Sequence, residues 1–345
     1  MKIPKFILDK RKKAKEAFDS LPSPNFRYGL SILMNPQIKL EEVEIKDDFS
    51  IDENGISLEE AENYFMNSIK LNDKINVFNA AFFQQALFLR IPKGKEMEFK
   101  FEPARDINYT LIIAEPQSKL NFTEFQFTEN YYGNTTEIYL REGSEINFFS
   151  VNNSKAPHSF VLRKANLARD SRINWYDLHL GSDFTRALTL TSLNGEGSEV
   201  RNYGLVLGKE KQQFDLYAEA VHKAKSTKSD MLVKGIVKDR AKALYRGLVR
   251  VDKNASNSNG YQKAELLIMN DGAEANAIPN LEIENNEVRC THGATIGQLD
   301  KEKLFYLMSR GLEEEKAKKV MLEGFLSPIL DKLNLSLQRE IIKQI

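Results

Sequence analysis

The chain has 345 residues, enough for a large buried core and for one to three folding units. Its 49 basic and 49 acidic side chains cancel, so no overall field draws it to nucleic acid or to a membrane surface. With 28% charged and 41% hydrophobic residues it has a soluble globular composition, and no apolar run approaches the roughly 20 residues that span a bilayer.

Taken in order, the first 20 residues predict a basic helix. They lack the apolar stretch and small-residue cleavage site of a secretory signal. Phe6, Ile7, Lys10, Lys13 and Ala17 make no continuous apolar stripe, and Lys10 to Lys13 read as a solvated face, with phosphate contact as the alternative. Pro22 and Pro24 end the helix. Residues 25–56 look irregular, with one short strand near Val43 to Ile45. Ser57 and Glu60 fit a capping box, which starts a second helix through Ala61, Tyr64, Phe65 and Ser68. The spacing of Val77, Ala80, Ala81 and Gln84 predicts a third helix over Asn76 to Ala86.

From Leu87 the pattern changes to short alternating segments rich in Phe, Ile, Leu, Thr and Tyr, separated by turn residues. A repeat runs through them. QSKLNF at 117–122 is echoed by GSEINF at 143–148, DSRINW at 170–175 and GSEVRN at 197–202. Ser118, Ser144, Ser171 and Ser198 stand 26, 27 and 27 residues apart. RAKA at 240–243 and GAEA at 272–275 are looser echoes. A small residue in a turn, then a strand, at a nearly fixed period predicts a β-solenoid. A β-sandwich, the alternative, needs no such period.

Motifs for catalysis are missing. His158, His179, His222 and His292 are scattered and make no metalloprotease spacing. There is no nucleophile elbow and no nucleotide-binding phosphate loop; Leu205 to Lys209 is only superficially like one. Trp175 and His179 read as ordinary strand residues. Asp170, Asp177 and Asp183 read as turn formers. Solenoid enzymes that cleave polysaccharides place acids and bases on one sheet face, and spacing alone leaves that reading open.

Cys290 is the sole cysteine, which excludes an internal disulfide framework and points to a reducing, cytoplasmic setting. In that setting the Asn134-Thr135-Thr136 sequon is irrelevant. The chain cannot hold an iron–sulfur cluster on its own thiolates. His292 follows two residues later, so in a strand the two side chains share a face. Both ligate soft or borderline metals, but a closed site needs three or four ligands. The alternative is a structural cysteine beside a hydrogen-bonded histidine. From Leu299 the pattern is helical: Asp300 suits an N-cap and Gly311 a C-terminal cap. A following helix from Glu313 to Leu322 or beyond places Ala317, Val320, Met321 and Gly324 on one face, Pro328 interrupts, and Leu333 to Ile345 forms a last amphipathic piece. Leu304, Phe305, Leu307 and Met308 exceed one apolar face, which leaves packing against the solenoid end or partner docking.

An ordered series of short motifs carries a resemblance. It runs Ala264 to Leu267, Ile278 to Ile283, Cys290 to Thr295, Leu299-Asp300, Leu304 to Leu307 and Ser309 to Gly311, with weaker similarity back to about Lys74 through Asn79-Ala80 and Ile91-Pro92. In these the chain resembles the SufB/SufD family of iron–sulfur cluster assembly proteins. The resemblance implies a right-handed parallel β-helix core over 87–298, with a helical unit at 1–86 and another at 299–345. It implies a non-catalytic subunit whose core pairs with a SufB-type chain, or with itself. Its C-terminal helices would dock the SufC ATPase, with Leu304, Phe305, Tyr306, Arg310 and Gly311 in the contact. Cys290 and His292 would offer ligands to iron or a nascent Fe-S cluster across the subunit interface. Reduced flavin enters only through the resemblance; no residue pattern identifies its site. SufB-type chains carry a cysteine in the motif matching Asp271 to Glu274 and a Glu after the histidine. This chain has Ala273 and Gly293 there, which favours SufD.

Overall fold

The computed structural model describes residues 3–28, 32–34, 38–43, 45, 49–70 and 72–345. Helix α1 (Lys5–Ser20) opens the chain, followed by the two-residue strands β1 (Arg27–Tyr28) and β2 (Ile32–Leu33), a 3-10 turn at Leu40–Glu42, and β3 (Ser50–Asn54). One turn of helix, α2 (Leu58–Ala61), precedes α3 (Lys74–Phe82). Sixteen strands follow: β4 (Gln85–Ile91), β5 (Glu96–Phe101), β6 (Ile107–Ala114), β7 (Lys119–Gln126), β8 (Tyr131–Leu140), β9 (Glu145–Asn152), β10 (His158–Leu167), β11 (Arg172–His179), β12 (Phe184–Leu193), β13 (Glu199–Gly208), β14 (Gln213–His222), β15 (Lys228–Val237), β16 (Lys242–Val251), β17 (Asn259–Ile268), β18 (Glu274–Ile283) and β19 (Arg289–Gly297). Helices α4 (Lys301–Ser309), α5 (Glu314–Leu330) and α6 (Leu335–Ile342) close the sequence.

Even-numbered strands from β4 to β18 lie side by side in one sheet, with β3 at its edge, and odd-numbered strands from β5 to β19 form the other. All neighbours in both are parallel, as in β10 against β8 and β12, and β11 against β9 and β13. This is a β-solenoid of about eight turns, each coil giving one strand to each sheet. The sandwich alternative falls on that alternation.

The corners explain the repeat. Ser118, Ser144, Ser171 and Ser198 are buried, and each hydroxyl donates to the carbonyl three residues back, at 2.6, 2.7, 2.8 and 2.7 Å. The residue before each serine sits in the left-handed region: Gln117 (φ 59°), Gly143 (64°), Asp170 (53°) and Gly197 (72°). Glycine at 143 and 197 adopts that conformation without steric cost. The series continues at Thr227 and Ser258, behind Ser226 and Asn257 with φ 59° each. Residues 240–243 and 272–275, the looser echoes, belong to the opposite corner, where the second sheet returns to the first.

Inward-facing side chains fill the lumen in stacked rows. Phe99, Phe122, Phe148 and Trp175 are in register, with ring centroids 5.8, 4.8 and 5.0 Å apart. Beside them lies a buried polar cluster. Arg163, 0% exposed, donates to Asp177 at 2.6 Å and Glu124 at 3.3 Å, and also bonds Ser150. Asp177 is therefore a lumen residue and no turn former. His222 is held between Thr227 at 2.8 Å and Ser229 at 2.9 Å, and burial pushes its pKa down to about 4.

Helices cover both outer faces. α1 packs on α3 through Ile7, Ala14 and Phe18, against the first sheet. The packed face follows a different line, Ile7, Arg11, Ala14 and Phe18, in which the Arg11 Nε donates to the Ala81 carbonyl at 2.8 Å and the guanidinium lies over Phe49 and Phe83. Arg11 is thus no part of a solvated face. The second helix stops after one turn, since the Glu137 carboxylate takes the Met66 and Ser68 N–H groups at 2.6 and 2.8 Å, with Met66 left-handed at φ 51°. The third starts at an Asp73 cap and ends at Phe82, so Gln84 to Ala86 are not helical. The expected strand near 43–45 falls partly outside the described residues, and Val43 and Ile45 lie in no strand.

On the second sheet α5 and α6 bury Leu322, Leu326, Ile329, Leu337 and Ile341 over Leu178 and Leu205. That inward face differs from the expected one: Ala317 is buried, but Val320 is exposed. Pro328 lies inside α5 and does not interrupt it. Proline removes the N–H that would reach the Gly324 carbonyl, and the Ser327 hydroxyl donates to that carbonyl at 3.0 Å instead.

Replacing Arg163 with Met would leave two buried carboxylates uncompensated. We expect a loss of about 3–5 kcal/mol in urea unfolding; a loss under about 1 kcal/mol contradicts the cluster's role. For His222 the sign is also fixed. Below pH 6.5 the unfolded chain takes up a proton that the folded one refuses until about pH 4, so stability falls with falling pH. The stability advantage of wild type over His222→Gln should therefore narrow between pH 6.5 and 4, and an advantage that is flat or widens toward acid contradicts the buried neutral imidazole.

Candidate functional site

Among the described residues the solenoid ends at β18 and β19, with no further coil on either sheet. The outer edges of these two strands have no neighbouring strand among the described residues, the template that natural sheets usually cover. Pro279, which lacks an N–H, sits in the edge strand β18, where one side of the ladder is unpaired. Exposed Ile283 and Ile296 add apolar surface at this end.

Cys290 and His292 both lie on β19 and continue two inward rows. Cys290 is in register with Gly260, one coil earlier, and His292 with Gln262. The His292 row traces back through Gln262, Met231 and Asn202 to Trp175 and the aromatic stack. The Cys290 sulfur fills the space that glycine leaves: a Cβ at Gly260 would lie 3.3 Å from Sγ and 2.7 Å from Val249. Cys290 is therefore half-buried against the lumen core, while His292 is exposed because nothing stacks above it. Burial pushes the Cys290 thiol up, against an opposing hydrogen bond from the Gly260 N–H.

The shared face expected of the pair is present. The further ligands are not: among the described residues no group of three His, Cys, Asp or Glu side chains could hold a metal. This chain alone thus offers one sulfur and one imidazole at an open rung. Sequence reasoning missed Gln262 beneath His292. It is fully buried, its Nε2 donates to the Asn280 carbonyl at 2.7 Å, and its Oε1 has no partner. Only the coil register, which places it one rung before His292, would have found it.

The next element, α4, begins at Asp300, whose side chain accepts from Glu302 and Lys303 N–H at 3.0 and 3.1 Å. It ends at Ser309, and Gly311, with φ 94°, turns the chain just beyond it. No residue of α4 is buried. Phe305 is 72% and Tyr306 56% exposed, and the Arg310 guanidinium lies 5.3 Å over the Tyr306 ring. Leu304 is half-buried and Gly311 exposed. Leu304, Phe305 and Tyr306 thus lie on the helix that follows β19, with Arg310 and Gly311 just past its end. The apolar excess of α4 does not go into packing against the solenoid.

Elsewhere His179 is buried in the lumen with its pKa pushed down to about 3, and Asp170 and Asp183 sit at corners, apart from Asp177. Among the described residues no helix is long and apolar enough to cross a membrane.

Comparison with known proteins adds a family. Residues 101–325 match the model described as SUF system FeS cluster assembly, SufBD core domain. The chain is 27% identical over 289 residues to the iron–sulfur cluster assembly protein SufD of Bacillus subtilis, covering 79% of this chain and 66% of that one. It is 26% identical over 276 residues to SufB of the same organism, covering 76% and 59%. An iron–sulfur cluster assembly SufBD family protein of Staphylococcus epidermidis is 25% identical over 345 residues, covering 92% and 74%. The chain spans about two thirds of the length of these relatives.

As the sole cysteine, Cys290 can be titrated by alkylation without ambiguity. The iodoacetamide rate should rise with pH through a midpoint above the ~8.5 of a free cysteine. A midpoint at or below that value would show an activated thiolate and contradict the burial of this sulfur.

Proposed function

The chain belongs to the SufBD core family of the SUF system for FeS cluster assembly, and from that premise we propose that it is a SufD-like, non-catalytic assembly subunit. One observation carries the reading: the last coil is uncovered and presents Cys290 and His292 on its inward rows. A second solenoid stacked there would cover the free edges and could bring the missing ligands. Iron or a nascent cluster, as cargo, would then be held between two chains; histidine can stand beside thiolate at such centres. Ala273 and Gly293, where SufB-type chains carry Cys and Glu, favour the SufD role.

The exposed α4 would dock the SufC ATPase through Phe305, Tyr306 and Arg310, with Leu304 and Gly311 shaping the contact. Aromatic and arginine side chains of this kind dominate interface energies. Closure of two ATPase subunits would then strain the paired solenoids and open their shared end. A second reading, a self-paired SufB-like scaffold, is favoured by the near-equal identity to SufD and SufB, 27% and 26%.

A tagged pull-down from native cells separates these. The proposal expects an ABC-type ATPase and a SufB-type chain with the wild type, and loss of the ATPase from Phe305→Ala/Arg310→Ala. An otherwise unchanged complex that still holds the ATPase removes α4 from the contact. A chain that comes down only with itself supports the scaffold reading, and one that comes down alone contradicts both.

A further inference from the structure

A cavity of about 440 Å³ lies far from the corner serines, between the second sheet and the C-terminal helices. Its floor is the ends of three successive coils: Leu207 and Lys209, then Ile236 and Lys238, then Met269. Its roof is the first turns of α5, with Glu315, Lys318, Lys319 and Leu322, together with Gln344 and Ile345. The size falls within the roughly 300–1,000 Å³ typical of small-molecule sites.

Its side-chain charge is one-sided. Four lysines and one glutamate line it, and Glu315 is already paired with Lys318 at 3.0 Å, which also binds Glu314 at 2.7 Å. Lys209, Lys238 and Lys319 form no ion pair among the described residues. Lys209 and Lys238 follow strands that are paired in register, so these like charges stand one coil apart. Adjacent coils are spaced about 4.8 Å, and unrelieved like charges at that spacing are unfavourable. Beneath them the wall is aliphatic: Leu207, Ile236, Met269 and Leu322.

We propose that this cavity binds an anionic amphiphile, whose acidic head sits between Lys209, Lys238 and Lys319 and whose apolar body lies on Leu207, Ile236, Met269 and Leu322. A purely apolar ligand would leave the lysines unrelieved, and a free inorganic anion would leave the aliphatic wall wet. The site lies on the flank of the solenoid, and the proposal does not depend on the assembly role.

Isothermal titration of the full chain with decanoate, below its micellar concentration, tests this. Decanoate should bind saturably at one site per chain. Decanol, with the same chain and no charge, should bind at least about tenfold more weakly, as should decanoate to Lys209→Gln/Lys238→Gln. The lysines are partly exposed, so this variant should melt as wild type does. Leu322→Trp, which fills the cavity from the apolar side, should also abolish binding. Equal binding of decanol, unchanged binding by the lysine variant, or no saturable binding would each overturn the proposal. If Leu322→Trp does not fold, the lysine variant and the decanol arm decide alone.

Discussion

Parallel backbone hydrogen bonding between successive coils fixes their spacing at about 4.8 Å, so every inward side chain rests on the one a coil before it. That constraint organises the molecule. It lines up Phe99, Phe122, Phe148 and Trp175 into a stack, and it requires Gly260 to leave room for Cys290. It also gives the solenoid two ends that differ in kind. At the N-terminal end β3 extends the first sheet and helices cover its outer face. At the C-terminal end the rows stop at β19, and the last rung faces outward by default.

The lumen is not uniformly apolar, and the charges of its central cluster are paired with one another. Arg163 ties together Asp177, Glu124 and Ser150, and Tyr132 and Asn134 also bond Glu124. Such a cluster is stabilising only when complete, because a half-satisfied buried charge costs several kcal/mol. It therefore constrains which coils can stack on which. Outside the lumen the same economy recurs: Glu137 holds the loop after α2 against the first sheet, and Asp215 receives Arg186, Arg246 and Tyr28.

The solenoid was legible because its corners repeat a chemical need, a left-handed residue followed by a small hydroxyl. The later corners use Thr227 and Ser258 in coils with longer spacing, which hid them behind chance echoes at 240–243 and 272–275. Helix ends were less legible where distant groups decide them. Nothing near Ser57 announces that Glu137 will take the N–H groups of Met66 and Ser68. Arg11 read as part of a solvated basic face because a one-letter pattern cannot show a guanidinium lying over two rings. Pro328 looked like a stop because the pattern omits the Ser327 hydroxyl that replaces the lost hydrogen bond. At the site, the shared face of Cys290 and His292 follows from strand periodicity alone. Gln262 does not, since it is 30 residues from His292 in sequence and one rung away in space.

The central claim is that the last coil is an incomplete edge which a partner solenoid covers. Hydrogen–deuterium exchange, comparing the isolated chain with the complex recovered from cells, addresses it directly. The account predicts that amides of Arg289–Gly297 exchange quickly in the isolated chain and become protected in the complex, while those of β11 and β13 stay protected in both. Equal exchange of β19 in the two samples would contradict it, and would place any partner elsewhere on the molecule.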